Sequence, residues 1–153
     1  MNRLNETEHA AWIGYRRMRL LLDLQIQRDL MRDSGLSDPD FDVLSNLSEA
    51  TGQRMRLTEL AAHLRWSKSR LSHHIGRMEG RGLVSRQEVA HDGRGAAIVL
   101  TSRGVSTIEE ATPGHVASLR RHFIDLLTRG RAADPRPGVP HGAVQARIIS
   151  GHL

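Results

Sequence analysis

At 153 residues, with 39% apolar but only 3% aromatic side chains, the chain has material for one domain built on an aliphatic core of Leu, Val, Ile, Ala and Met. It has no cysteine, which excludes disulfides, thiolate metal ligands, cysteine nucleophiles and thiol-based oxidation sensing. The net charge of +5 favours anionic partners, and the opening text MNRLNETEHAAW holds no apolar signal core, so a cytoplasmic chain without a membrane segment is expected.

Over residues 8–34 the spacing predicts a long helix. Trp12, Tyr15, Met18, Leu22, Ile26 and Leu30 recur at intervals of three and four, and Leu20, Leu21 and Leu24 widen the apolar surface beyond one stripe. Such width suits a helix that covers both its own core and a second subunit. Gly35 is placed to cap it in the left-handed conformation. The next helix starts strongly: Ser37 caps, Pro39 suits the first turn, and Asp40 lies three residues on, where a carboxylate reaches back. Phe41, Val43, Leu44 and Leu47 supply its buried face as far as Ala50.

A short helix follows, with Leu57, Leu60, Ala61 and Leu64 inward and Arg65-Trp66 as the turn after it. Ser67 caps the next helix, where Leu71, Ile75 and Met78 share one seam and Gly82 ends the run. Strands are predicted over 83–86 and 97–100, joined through the turn text Asp92-Gly93-Arg94-Gly95. Helical spacing resumes at Thr101 with Val105, Ile108, Val116, Leu119, Phe123, Leu126 and Leu127, and Pro113-Gly114 predicts a kink or break near Thr112. From 130 to 153 the text turns rich in Pro and Gly; only 143–150 retains the makings of a short helix.

Positive charge is concentrated in the middle of this order. Between Arg54 and Arg103 ten basic residues face four acids, a net of +6 that exceeds the +5 of the whole chain. With Leu71, Ile75 and Met78 turned inward, the opposite helix face carries Lys68, Ser69, Ser72, His73 and Arg77, with Arg70 at its edge. Small hydroxyls permit close approach to base edges, His and Arg donate to base acceptors, and flanking cations meet phosphates. Ser67 and the first free amides of that helix can also hold a phosphate. Two glycines around Arg94 allow a tight turn to project one guanidinium into a narrow minor groove, with Asp92 placed to orient it.

The text SKSRLSHHIGRMEGRGLV, followed by the D-x-R-G-x-x-I-x-L-T-x-x-G pattern of residues 92–104, resembles the multiple-antibiotic-resistance regulator (MarR) family of bacterial winged-helix transcription factors. The flanking GLSDPDFDVL and PGHVASLRRHFIDLL stretches fit as well, so the resemblance covers about residues 8–128. It implies a mainly α fold with a small β-hairpin wing. In that single domain, 36–101 form the winged helix-turn-helix and helices over 8–34 and 102–129 form a homodimer. It also implies that Ser69, Arg70, Ser72 and His73 read bases or backbone and that Arg94 enters the minor groove of a pseudo-palindromic operator. Many relatives carry Arg at the place of His73, and the 130–153 tail departs from the helix that usually completes the dimer.

The expected DNA-binding set is therefore Ser67, Lys68, Ser69, Arg70, Ser72, His73, Arg77, Asp92 and Arg94, in a ligand-responsive repressor that needs no cofactor. A small-molecule effector is expected in the crevice between dimerisation helices and reading domain; the text does not identify it. No phosphate loop, nucleophile elbow or H-E-x-x-H motif is present, so no enzyme is expected. Two alternatives stand beside this reading. One is a winged helix that has lost specific DNA binding and acts through protein partners. The other is a metal sensor using His115 and His122 with Glu109 or Glu110.

Overall fold

The computed structural model describes residues 3–88 and 95–132. Asp92, Arg94, the turn expected around them and the short helix expected over 143–150 lie outside the described residues.

Helix α1 (Glu6–Ser34) opens with a capping box: the Asn5 side chain accepts from the Glu8 amide at 2.9 Å and the Glu8 carboxylate accepts from the Asn5 amide at 2.9 Å. It ends as expected on Gly35, at φ 68°, whose N–H reaches the Met31 carbonyl at 3.0 Å. Helix α2 (Asp38–Glu49) shows the second predicted box, with Ser37 accepting from the Asp40 amide at 3.3 Å and Asp40 from the Ser37 amide at 3.0 Å. A 3-10 turn over Thr51–Gln53 leads into strand β1 (Arg54–Arg56). Helices α3 (Leu57–His63) and α4 (Lys68–Gly80) follow, then strands β2 (Val84–Glu88) and β3 (Ala96–Leu100). Helix α5 (Ser102–Leu119) passes through a π-helical turn, Arg120–Ile124, into α6 (Asp125–Ala132).

Two expectations need correction. The sheet has three antiparallel strands in the order β1-β3-β2, so the apolar β3 is central, with Ile98 opposite Met55 on one side and Arg86 on the other. The strand absent from the sequence reading, Arg-Met-Arg, is too short and cationic to show a period of two. Nor does α5 break at Pro113. The helix runs through, because Pro113 lies on the exposed side and the carbonyl of Glu109, which loses its amide partner, is on an exposed residue as well. The irregularity falls later, at the π-helical turn, where the Asp125 amide bonds to the Arg120 carbonyl.

Val43, Leu44, Leu47, Leu60, Leu71, Ile75, Met78 and Ile98 are fully buried and bring α2, α3, α4 and β3 into one core. Each contributes about 1.5–3 kcal/mol of burial. A polar stitch closes the base of the β2–β3 unit. The Thr101 hydroxyl caps α5 by accepting from the Gly104 amide at 3.0 Å and donates to the Gly82 carbonyl at 2.6 Å. Gly104 must be glycine here, since a Cβ would collide with the Leu83 carbonyl oxygen.

α1 meets α5 through the buried Asp29. Its Oδ2 accepts from the Ser118 hydroxyl at 2.7 Å and lies 3.1 Å from His122 Nε2, while Oδ1 accepts from Gln25 and Arg32, each at 3.0 Å. The Ser118 hydrogen bond, against the opposing effect of burial, and then Gln25, Arg32 and His122 hold this carboxyl below the usual carboxylate range.

Candidate nucleic-acid interface

Helix α4 exists because Ser67 caps it, accepting from the Arg70 amide at 3.1 Å, and because Leu71, His74, Ile75 and Met78 bury one face. Arg65 sits in the turn before it at φ 53°, a left-handed conformation that a side chain adopts at some strain. The outward face carries Ser69, His73 and Gly76, all exposed, with Lys68 beside them. Among the described residues nothing lies within 4 Å of where a Cβ on Gly76 would stand, so the middle of this face is small and open.

Its two flanks are tied down differently. On one, the Arg70 guanidinium lies over the Trp66 ring at 4.1 Å from the centroid, and Arg77 Nη2 is 2.8 Å from His74 Nδ1. On the other, Arg86 of β2 binds α4 at three points. Its guanidinium donates to the Ser72 carbonyl at 2.6 Å and approaches Glu79 Oε2 at 3.2 Å, and its amide donates to Glu79 Oε1 at 2.9 Å. The sheet and the helix are thereby locked at one spacing, and Ser72, half-buried, has its hydroxyl 3.3 Å from the same guanidinium.

Beneath the helix, buried Asp40 accepts from Arg81 Nη1 at 3.0 Å and faces His74 Nε2 at 3.1 Å. Burial alone would raise the Asp40 carboxyl, but the Ser37 amide and hydroxyl and the Arg81 guanidinium outweigh it and hold it below the usual range. Burial pushes the His74 imidazole below its ordinary value; Asp40 opposes that, while Arg77 and Arg81 add to it.

Seven of the nine expected site residues lie among the described residues, and all belong to α4 or its cap. Ser67, Lys68, Ser69, Arg70, His73 and Arg77 are exposed and Ser72 is half-buried. The sequence reading missed the residues that hold them: Trp66, His74, Asp40, Glu79 and Arg86. Of these only His74 left a signal, a histidine adjoining the Leu71–Ile75–Met78 seam at helical spacing.

The histidines considered for a metal go to separate partners. His115 packs against Phe41 at an interplanar tilt of 35°, 4.2 Å between ring centroids, and His122 binds Asp29. Among the described residues no three His, Asp or Glu side chains converge on one point, and no helix is long and apolar enough to cross a membrane. An open groove of about 470 Å³ lies between α1 and the start of α2, lined by Leu24, Gln27, Arg28, Met31, Arg32, Ser37, Asp38 and Pro39.

Residues 34–95 match the MarR family. Over 88% of this chain and 95% of the other, the molecule superposes with a TM-score of 0.79 and 43% identity on AbsC, a MarR family transcriptional regulator from Streptomyces coelicolor. Sco3205 from the same organism, a MarR family transcriptional regulator solved in complex with DNA, matches with a TM-score of 0.78 and 29% identity over 93% of this chain and 96% of its own. The HTH-type transcriptional repressor YetL of Bacillus subtilis is 32% identical over 85 residues, a stretch covering 56% of this chain and only about half, 51%, of that protein.

Proposed function

The chain belongs to the MarR family of transcriptional regulators, and on that premise we propose that it is a sequence-specific, ligand-responsive repressor acting as a homodimer on a pseudo-palindromic DNA operator. The observation that carries this reading is the outward face of α4. It is small and open in the middle at Ser69 and Gly76, cationic at its edges, and locked through Arg86 to the adjoining sheet. Such a face fits a major groove: Ser69 and His73 face base edges, while Lys68, Arg70 and Arg77 meet phosphates. Arg94, oriented by Asp92, serves the neighbouring minor groove.

Dimerisation is supported by the large apolar side chains that α1 leaves in solvent, Trp12, Ile13, Tyr15, Met18, Leu20, Leu21 and Leu24, and by Leu126 and Leu127 on α6. The groove between α1 and α2 supports the effector reading. A small molecule there acts by favouring a spacing of the two α4 helices that no longer matches the operator.

The test is selection of bound duplexes from a random pool, followed by affinity measurement across salt. A MarR-type dimer recovers a two-fold symmetric motif whose affinity drops by orders of magnitude from low to moderate salt. Flat, weak binding to every duplex would instead favour a winged helix that works through protein partners.

A further inference from the structure

Arg77 is exposed on the DNA-facing side of α4, yet its guanidinium is not free: Nη2 stands 2.8 Å from Nδ1 of His74, which is buried at 6% exposure. A guanidinium only donates, so Nδ1 is the unprotonated ring nitrogen and the imidazole proton sits on Nε2. Nε2 faces Asp40 Oδ1 at 3.1 Å, off the line of a good hydrogen bond but close enough for the carboxylate to favour that tautomer. Asp40 is itself immobilised from α2 by the Ser37 amide and from beyond α4 by Arg81. The Trp66 ring packs edge-on against the other side of the imidazole, 5.6 Å between centroids. An anchored carboxylate, an oriented imidazole and a surface cation thus form one chain from the α2 N-terminus to the reading face.

We infer that His74, oriented by Asp40, is a positioning residue that holds the Arg77 guanidinium in place for a DNA phosphate before the duplex arrives. This rests on the DNA-binding reading above and deepens it. An arginine on a flexible stem loses rotamer freedom when it binds a phosphate, and a side chain already held in one direction loses less. The imidazole itself is buried and touches no DNA. Its effect passes through Arg77.

The experiment is an anisotropy titration of the full chain with the labelled duplex that the wild-type protein selects, at several salt concentrations. Arg77→Ala removes a phosphate contact and is expected to weaken binding several-fold and to lower the salt slope by about one per bound subunit. His74→Leu leaves the charge in place. It is expected to weaken binding several-fold at unchanged slope, and to add no further loss on the Arg77→Ala background. His74→Asn puts an acceptor close to the position of Nδ1 and is expected to recover most of the affinity; His74→Gln puts its amide at the position of Nε2 and is not.

Wild-type affinity in the His74→Leu variant, an undiminished His74→Leu loss on the Arg77→Ala background, or equal behaviour of the Asn and Gln variants would each overturn the inference. Should His74→Leu not fold, the Asn and Gln variants decide it alone. Salt-independent binding by the wild-type protein would be a different failure, that of the DNA-binding reading.

Discussion

Between Ser37 and Leu100 no large apolar side chain among the described residues is exposed, whereas along α1 they stand in solvent from Trp12 to Leu24 and at Met31, and again at Val116, Leu126 and Leu127. The first region finishes its own core. The starts of α2 and α4 are capped, the base of its sheet is stitched by Thr101, and its buried carboxylate is paired. The second is an arm with apolar side chains on more than one side, half-buried at Leu22 and Ile26 and, among the described residues, buried at Asp29 and Leu30. Under the homodimer proposed above, stability local to one chain and stability that depends on a second copy are separated along the sequence, and each can be attacked alone.

The largest effect is expected at the base of the reading domain. Gly104→Ala drives a methyl group into the Leu83 carbonyl and should destabilise the fold by about 3 kcal/mol, read as a lower midpoint in urea unfolding. On the arm, Leu21→Glu places a charge on a side chain that is 59% exposed in the single chain. Sedimentation should then show monomers and a Tm that no longer rises with protein concentration, while the reading domain keeps its own unfolding transition. A wild-type Tm independent of concentration would erase the contrast between the regions. Arg94→Ala should weaken operator binding by roughly 1–3 kcal/mol with no change in Tm, and an unchanged gel-shift titration would remove Arg94 from the interface.

Acid should act through two imidazoles, that of His74, which is buried, and that of His115, which is half-buried. His74 and His115 have folded-state values below the ordinary one, mainly through burial, with Asp40 and Asp38 respectively opposing the shift. The unfolded chain therefore binds more protons as pH drops through about 6.5, and stability that is complete above that point is lost below it. His115 Nδ1 has no hydrogen-bond partner among the described residues, so His115→Leu should flatten the fall in Tm between about pH 7.5 and pH 5.5. The smallest effect is expected at Gly76→Ala. It should stabilise α4 by about 1 kcal/mol, because glycine in a helix interior is unfavourable, while weakening operator binding by crowding the open middle of the face.

What the text disclosed was local. The Ser37–Asp40 box, the Gly35 cap, the Ser67 cap and the Leu71–Ile75–Met78 seam are all patterns within a few residues of themselves, and all appear as read. The Asn5–Glu8 box had the same kind of signal and was overlooked. What stayed hidden depends on side chains meeting across elements. Nothing in the order of residues pairs Asp40 with His74 and Arg81, or Arg86 with Ser72, because apolar periodicity reports which face is buried and not which polar groups meet there. Nor could Pro113 be judged from sequence alone, since its tolerance turns on the exposure of the side it occupies.

The π-helical turn at Arg120–Ile124 has a consequence for how such a molecule can change. An ordinary helix advances roughly 100° per residue, and this turn absorbs an additional residue, so everything after it is rotated by about that angle. Leu126 and Leu127 point where they do because of it. Deleting one residue there would swing the C-terminal rod by about a quarter revolution and re-aim its greasy knobs, leaving the DNA-facing helix untouched. In the proposed dimer, subunit choice would therefore drift by a single codon while operator choice stayed as it was.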